Sequence, residues 1–209
     1  MIRGGIAFGV VRRMMDSRKM EEPPVNAKEQ RTLLRWVRAT IEAAVRGQSL
    51  MEIPDAELTN QLRAPHGVFV TLKKTGALRG CIGKMDFEQA LWSNALEAAV
   101  ASALEDPRFP PVKPEELPKI AIEISILNPP VDLPRPELFE PLRQGIIVQK
   151  GLCHALLLPK VAQEERWDAA RTLEAVCWKA GLPKDAWRDP ATRLQVFTAF
   201  DFGETTTSS

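Results

Sequence analysis

From Glu29 to Arg46, apolar residues recur at three- and four-residue steps. Leu34, Val37, Ile41 and Val45 share one side, and arginines occupy the others. That period predicts a helix, and Gly47 stops it. Pro54 to Leu62 predicts a short second helix. The period then changes. Val68 to Leu72 reads as a strand, Lys73-Lys74-Thr75-Gly76 as a hairpin turn, and Leu78 to Ile82 as the returning strand. Asp86, with Gln89 three residues on, predicts a capped helix that runs to about Leu104. Five prolines between Pro107 and Pro118 keep the next stretch out of a helix. "IAIEISIL", Ile120 to Leu127, alternates isoleucine with Ala121, Glu123 and Ser125, the pattern of a half-buried strand.

The same order returns after a proline-rich linker, Asn128 to Pro141. "GIIVQ" is a strand, Lys150-Gly151 a turn and "CHALLL" a second strand. Trp167 to Ala180 is a helix stopped by Gly181, and Leu194 to Phe202 a closing strand. Strand, strand, helix, strand therefore occurs twice, over about residues 67–127 and 145–202. The expectation is an α+β fold of two β-β-α-β repeats packed about a pseudo-twofold axis, with a groove between them and an additional N-terminal helix. Residues 1–28 read as a flexible extension, 29–204 as the domain and 205–209 as a frayed tail.

Composition narrows the function classes. The chain has 209 residues, 44% apolar and 26% charged, with a net charge of +1. No global field draws it to nucleic acid or to an anionic membrane. Tyrosine is absent, which argues against a base-stacking platform. Cysteine occurs three times (Cys81, Cys153 and Cys177) with no C-x-x-C pair, which fits a reduced, cytoplasmic setting. The two histidines, His66 and His154, lack metal-ligand spacing, so no metal site and no cofactor is expected. Near the N-terminus, the apolar run Gly4 to Val11 is too short to span a bilayer and lacks the order of a signal peptide. No membrane association is expected.

Candidate chemistry gathers on "LRGCIG", Leu78 to Gly83. Alternation places Arg79, Cys81 and Gly83 on one face, and Leu78, Gly80 and Ile82 on the other. A thiol titrates near ~8.5, and a neighbouring cation lowers that value. Gly80 and Gly83 leave room for a ligand or a second backbone, or mark a bulge. Cys81 is then a nucleophile beside Arg79, or a packed core residue. Cys153 and Cys177 stand among apolar neighbours and read as core. His154, in the equivalent strand of the second repeat, is a candidate general base across the groove, or a buried histidine bonded to backbone. Glu123 orients His154 or meets water. Lys73, Lys74, Arg79 and Lys84 form a local basic patch of the kind that is usually solvated. Phosphate-loop spacing is absent, because Leu78 stands where a P-loop needs glycine. Gly80-Cys81-Ile82-Gly83 has the G-x-x-G form of a KH loop, but in strand-like surroundings.

"GVFVTLKKTGALRGCIG", "EDPRFPPVKPEEL", "IAIEISIL", "ALLLPKVA", "RWDAARTLEAVCWKAGLPKDAW" and "FTAF" resemble, in that order, the AMMECR domain family, whose prokaryotic members are called AmmeMemoRadiSam system protein A. The resemblance covers about residues 29–204, with the motif intact as Leu78, Arg79, Gly80, Cys81, Ile82 and Gly83. It implies two interlocked βα repeats and a cytosolic protein with an exposed groove at that motif. It also implies association with a Memo-like protein and a radical-SAM protein. It implies no particular reaction. Ala155 and Lys160 depart from the glycine and glutamine more usual there. Three functional readings follow. The first is a binding or adaptor protein whose groove takes a partner, a peptide or a small molecule. The second is a cysteine-dependent enzyme with Cys81 as nucleophile or redox thiol and His154 as base. The third is a nucleic-acid-binding protein.

Overall fold

The structure is a computed structural model and describes residues 23–204. Of the expected extension, residues 1–22 lie outside the described residues, as does the tail 205–209. Helix α1 spans Ala27–Val45, two residues earlier than the period predicts. The reason is a capping box. The Asn26 side chain accepts from the Lys28 and Glu29 amides, and Glu29 takes the Asn26 N–H at 2.7 Å. Leu33, Trp36, Val37 and Ile41 are fully buried, so the inward stripe is rotated from the expected one and leaves Leu34 and Val45 at its margin. The expected short helix resolves into a 3-10 turn, Asp55–Glu57, and a single turn α2, Asn60–Arg63.

Strands β1 (Gly67–Lys74) and β2 (Ala77–Lys84) form the first hairpin, with Thr75 and Gly76 at positive φ in the turn. Helix α3 spans Leu91–Leu104 and strand β3 spans Ile120–Leu127. Asp86 does not cap α3. Its carboxylate takes the amides of Glu88 and Gln89 in the preceding turn, and Ala90 at the helix start has no side-chain cap. The buried Asn94 amide ties that turn down by donating to the carbonyls of His66 and Asp86. The proline-rich stretch ends in a 3-10 turn, Pro114–Lys119.

Strand β4 (Val131–Asp132) follows β3 and closes the first half; the second half contains β5 (Gly145–Lys150), β6 (Cys153–Leu157), α4 (Pro159–Glu165), α5 (Ala169–Lys179), β7 (Arg193–Phe197) and β8 (Ala199–Gly203). Helix α4 has no counterpart in the sequence expectation. One sheet runs β2-β1-β3-β8 and the other β6-β5-β7-β4. The two orders correspond strand for strand, and each sheet takes its fourth strand from the other half.

This corrects the closing strand. Leu194 to Phe202 is two strands in two sheets, divided at Thr198. The crossings hold each other: the Asn128 amide N–H donates to the Thr198 carbonyl at 3.0 Å, and its side chain donates to Thr198 Oγ1 at 2.8 Å. The crossing strand is pinned at its far end by Arg38, which pairs with Glu204 while Glu204 accepts the Ile122 N–H.

Each sheet buries one face under its own helices. Val68, Val70, Leu72, Ile122, Ile124 and Ile126 meet α1 and α3. Ile146, Val148, Leu157, Leu194 and Val196 meet α5. The other faces turn toward each other. Leu127, Leu158 and Phe197 form a third, smaller core there with Phe69, Phe87, Ile147 and Leu156. A duplicated α+β module that exchanges strands is therefore the architecture, with an apolar seam between the sheets. No helix among the described residues is long and apolar enough to cross a membrane.

Candidate functional site

The motif lies on β2, an edge strand, and a bulge breaks its alternation. Leu72 pairs with Gly80 but Lys73 pairs with Leu78, so Arg79 is passed over. The expected face sharing holds for Cys81 and Gly83 but fails at Arg79 and Leu78. Cys81 lies opposite Thr71 on the seam-facing side, and Leu78 is exposed opposite Lys73. Arg79 is turned away onto Glu116, with Nε and Nη2 at 3.0 and 2.9 Å from its carboxylate, and is only 11% exposed. Arg79, and then Lys74, hold Glu116 well below the usual carboxylate range. The cation expected beside the thiol is therefore spent on an ion pair elsewhere.

Both glycines of the motif are filled by the protein itself. A Cβ at Gly80 would lie 2.1 Å from the Ser102 carbonyl oxygen of α3. One at Gly83 would lie 2.3 Å from the Phe69 ring. The first allows α3 to lie against β2, and the second allows Phe69 to lie flat across the strand toward the seam. Ser102 completes the contact: its hydroxyl accepts the Ile82 N–H and donates to the Val70 carbonyl. Behind the motif, Ile82, Trp92, Leu96 and Val100 line a cavity of about 510 Å³.

Edge strands leave backbone groups unpaired. At Cys81 two side chains from "EDPRF" take that role. The Asp106 carboxylate accepts the Cys81 N–H at 2.8 Å, and Arg108 Nη2 donates to the Cys81 carbonyl at 3.0 Å. Asp106 also receives Arg108 Nε and Nη2 at 2.9 and 2.6 Å. This pair, buried at Asp106 and exposed at Arg108, mimics a neighbouring strand for one residue. Arg108 first, and then the Cys81 amide, bring the Asp106 carboxyl down to about 2 against the opposing effect of burial. The Arg108 guanidinium, 53% exposed and against the Phe109 ring, also interacts with the Cys81 thiol. Arg108, rather than Arg79, is the cation at the sulfur. The half-exposed sulfur lies 3.3 Å from Thr71 Oγ1.

Lys179 of the second repeat, in the last turn of α5, donates to the Leu156 carbonyl of β6 at 3.0 Å. Loss of water around its ammonium lowers its pKa. The Cys81 sulfur opposes that shift and the Arg108 charge adds to it. Lys179 is therefore within electrostatic range of Cys81 and Arg108. Farther in, Glu123 lies beside Thr71 on the seam face. It makes no hydrogen bond to His154 among the described residues, and its side chain is a quarter exposed. Lys160 of α4 and Lys73 bind its two oxygens, and Lys160 also lies 3.2 Å from Ser125 Oγ. Burial pushes the Glu123 carboxyl up, but Lys160 and Lys73 outweigh it, and the net shift is downward.

His154 is exposed at the end of its hairpin, with Nδ1 3.3 Å from the Leu152 carbonyl. No hydrogen bond joins it to Cys81 among the described residues. Cys153, read as core, is exposed beside it, because it opens β6 at the turn. Cys177 is buried, and burial raises its pKa. The basic patch dissolves into pairs: Lys73 with Glu123, Lys74 and Arg79 with Glu116, Lys84 with Glu97. The residues that sequence reasoning missed at the thiol are Thr71, Asp106, Arg108 and Lys179. Asp106 and Arg108 carried a local signal, an acid two residues from a base at the foot of a helix.

Three comparisons bear on this geometry. The AMMECR1 family profile matches residues 34–202. A Methanothermobacter thermautotrophicus protein is 45% identical over 191 residues, which cover 88% of this chain and 99% of that protein. Pyrococcus furiosus protein PF1979 is 42% identical over 182 residues, covering 82% of this chain and 86% of its own. The crystal structure of Pyrococcus horikoshii protein PH0010 matches with a TM-score of 0.83 and 38% identity, covering 87% of this chain and 94% of that one. With the strand-exchanged double module and the motif at its seam, these likenesses establish that the chain belongs to the AMMECR1 family.

Proposed function

We propose that the chain is a binding protein, an adaptor that presents the open side of its seam to a small ligand or a partner protein. The observation that carries this reading is a partly exposed Cys81 on an edge strand, held by Arg108 at its carbonyl, with Lys179 of the second repeat within electrostatic range. Recognition groups are gathered there, but the hydrogen-bond partner of the sulfur is a threonine hydroxyl. A Memo-like protein and a radical-SAM protein are the proposed partners, on the association that the family resemblance implies. Mixing the purified chain with each and measuring heat of binding tests this. The expected result is saturable binding to at least one, weakened about tenfold or more by Lys179→Glu, which places a repulsive charge in the contact. Absence of binding by folded protein, or binding indifferent to that substitution, would refute it.

A second reading, a cysteine-dependent enzyme, is favoured by one observation: Arg108 donates to the Cys81 carbonyl at 3.0 Å, which sets a guanidinium beside a partly exposed cysteine. In this reading Cys81 is the nucleophile or redox thiol and His154, which makes no hydrogen bond to it among the described residues, is the base.

A further inference from the structure

Helix α3 is apolar on two sides. Leu91, Ala95 and Ala98 are fully buried in the first core. A second row, Trp92, Leu96 and Val100, steps along the helix at intervals of four and is only half-buried. On a helix that has already buried one stripe, the next row is ordinarily polar. These three side chains and Ile82 of the motif instead line the cavity of about 510 Å³ behind β2. That volume falls in the range of small-molecule sites. Trp92 and Val100 are about 12 Å apart along the helix axis, so the apolar lining is elongated. Leu50, 52% exposed, borders it from the loop after α1.

The polar groups of this slot differ from end to end. Near the start of α3, Lys84 Nζ lies 2.6 Å from Glu97 Oε2, and Gln89 donates to Glu97 and to Ser93. Those groups satisfy one another. At the other end, the Glu105 side chain has no ion pair or hydrogen bond among the described residues. Glu105 directly follows α3, whose last turn carries no basic residue. The negative end of the helix dipole and this carboxylate therefore act together, with no cation paired to them. Ile82 lies opposite Val70, a residue of the first core, whereas Cys81 lies opposite Thr71 on the seam side. The slot is thus separate from the seam.

We propose that this slot is a second binding site, for a small amine whose elongated apolar body lies along Trp92, Leu96 and Val100 and whose ammonium meets Glu105. Burial of the body supplies the affinity. The carboxylate and the helix end supply the preference for a cation.

Calorimetric titration of the full chain with decylamine, decanol and decanoate, below micelle formation, tests this. The three share a body and differ in the charge of the head. One saturable site is expected, with decylamine about threefold or more tighter than decanol and decanoate the weakest. Glu105→Gln should remove the preference for decylamine over decanol and leave the decanol affinity unchanged. Leu50→Ser, on an exposed loop, should weaken all three about threefold. Val100→Trp, which fills the slot, should abolish all three, with a circular-dichroism melt as the check on folding. Absence of saturable binding, equal affinities for decylamine and decanoate, or a folded Val100→Trp chain that binds decylamine as the parent does would each overturn the site. Self-association of the chain that decylamine reverses would assign the slot to a second copy, and would also overturn it. None of these results bears on partner binding at the seam.

Discussion

Gly80→Ala is expected to lose at least about 4 kcal/mol of stability, enough to unfold many domains of this size. The added methyl would lie 2.1 Å from the Ser102 carbonyl oxygen, and that oxygen belongs to the backbone of a buried helix. It cannot rotate away as a side chain would. Relief requires α3 to lift from β2, which breaks the Ser102 hydroxyl bonds to Ile82 and Val70 and opens the layer of Ala95, Ala98 and Ala99. Urea denaturation measures the loss. Gly83→Ala is the comparison, because its methyl meets the Phe69 ring, which can move at smaller cost. A Gly80→Ala chain within about 1 kcal/mol of the parent would mean that helix and strand are not held as described.

Asp106→Ala is expected to cost about 3 kcal/mol near neutral pH. The carboxylate is 2% exposed and holds the Cys81 amide together with the Arg108 amide and guanidinium. Hydrogen bonds to a charged group contribute about 1.5–3 kcal/mol each, and the Cys81 N–H loses its acceptor. The freed guanidinium is half-exposed and returns to water, which limits the loss. The acid limb carries a second signature. The folded-state pKa of Asp106 lies below its ordinary value of 3.8, at about 2. Its stabilisation is therefore complete above pH about 4 and disappears as pH falls toward 2. The shift corresponds to about 2 kcal/mol. Stability curves of the parent and of Asp106→Ala should converge across that window. Parallel curves would remove Asp106 as an ionised clamp on the edge.

Much of the fold was readable from local patterns. The bounds of β3 follow from isoleucine alternation, and the hairpin turn follows from Gly76, although Lys73 and Lys74, expected in the turn, continue β1. The exchange of strands was not readable, for a specific reason. Leu194 and Val196 face the second core, while Phe200 and Phe202 pack on the first. One unbroken alternation serves both sheets, and no period reports a change of partner at Thr198. The bulge at Arg79 is a one-residue slip, which composition does not mark, and it moved the expected cation off the thiol. The cations that replaced it lie 27 and 98 residues along the chain from Cys81, at Arg108 and Lys179, where only folding brings them together. The thiol itself was legible, because Cys81 is the one cysteine set between glycines.

A partly exposed sulfur on the edge strand β2 is what gives the surrounding charges a role. Iodoacetamide labelling of the native chain, read cysteine by cysteine, tests that exposure most directly. Cys81 and Cys153 should be modified while the protein is folded, and buried Cys177 only after denaturation. Protection of Cys81 equal to that of Cys177 would contradict the account.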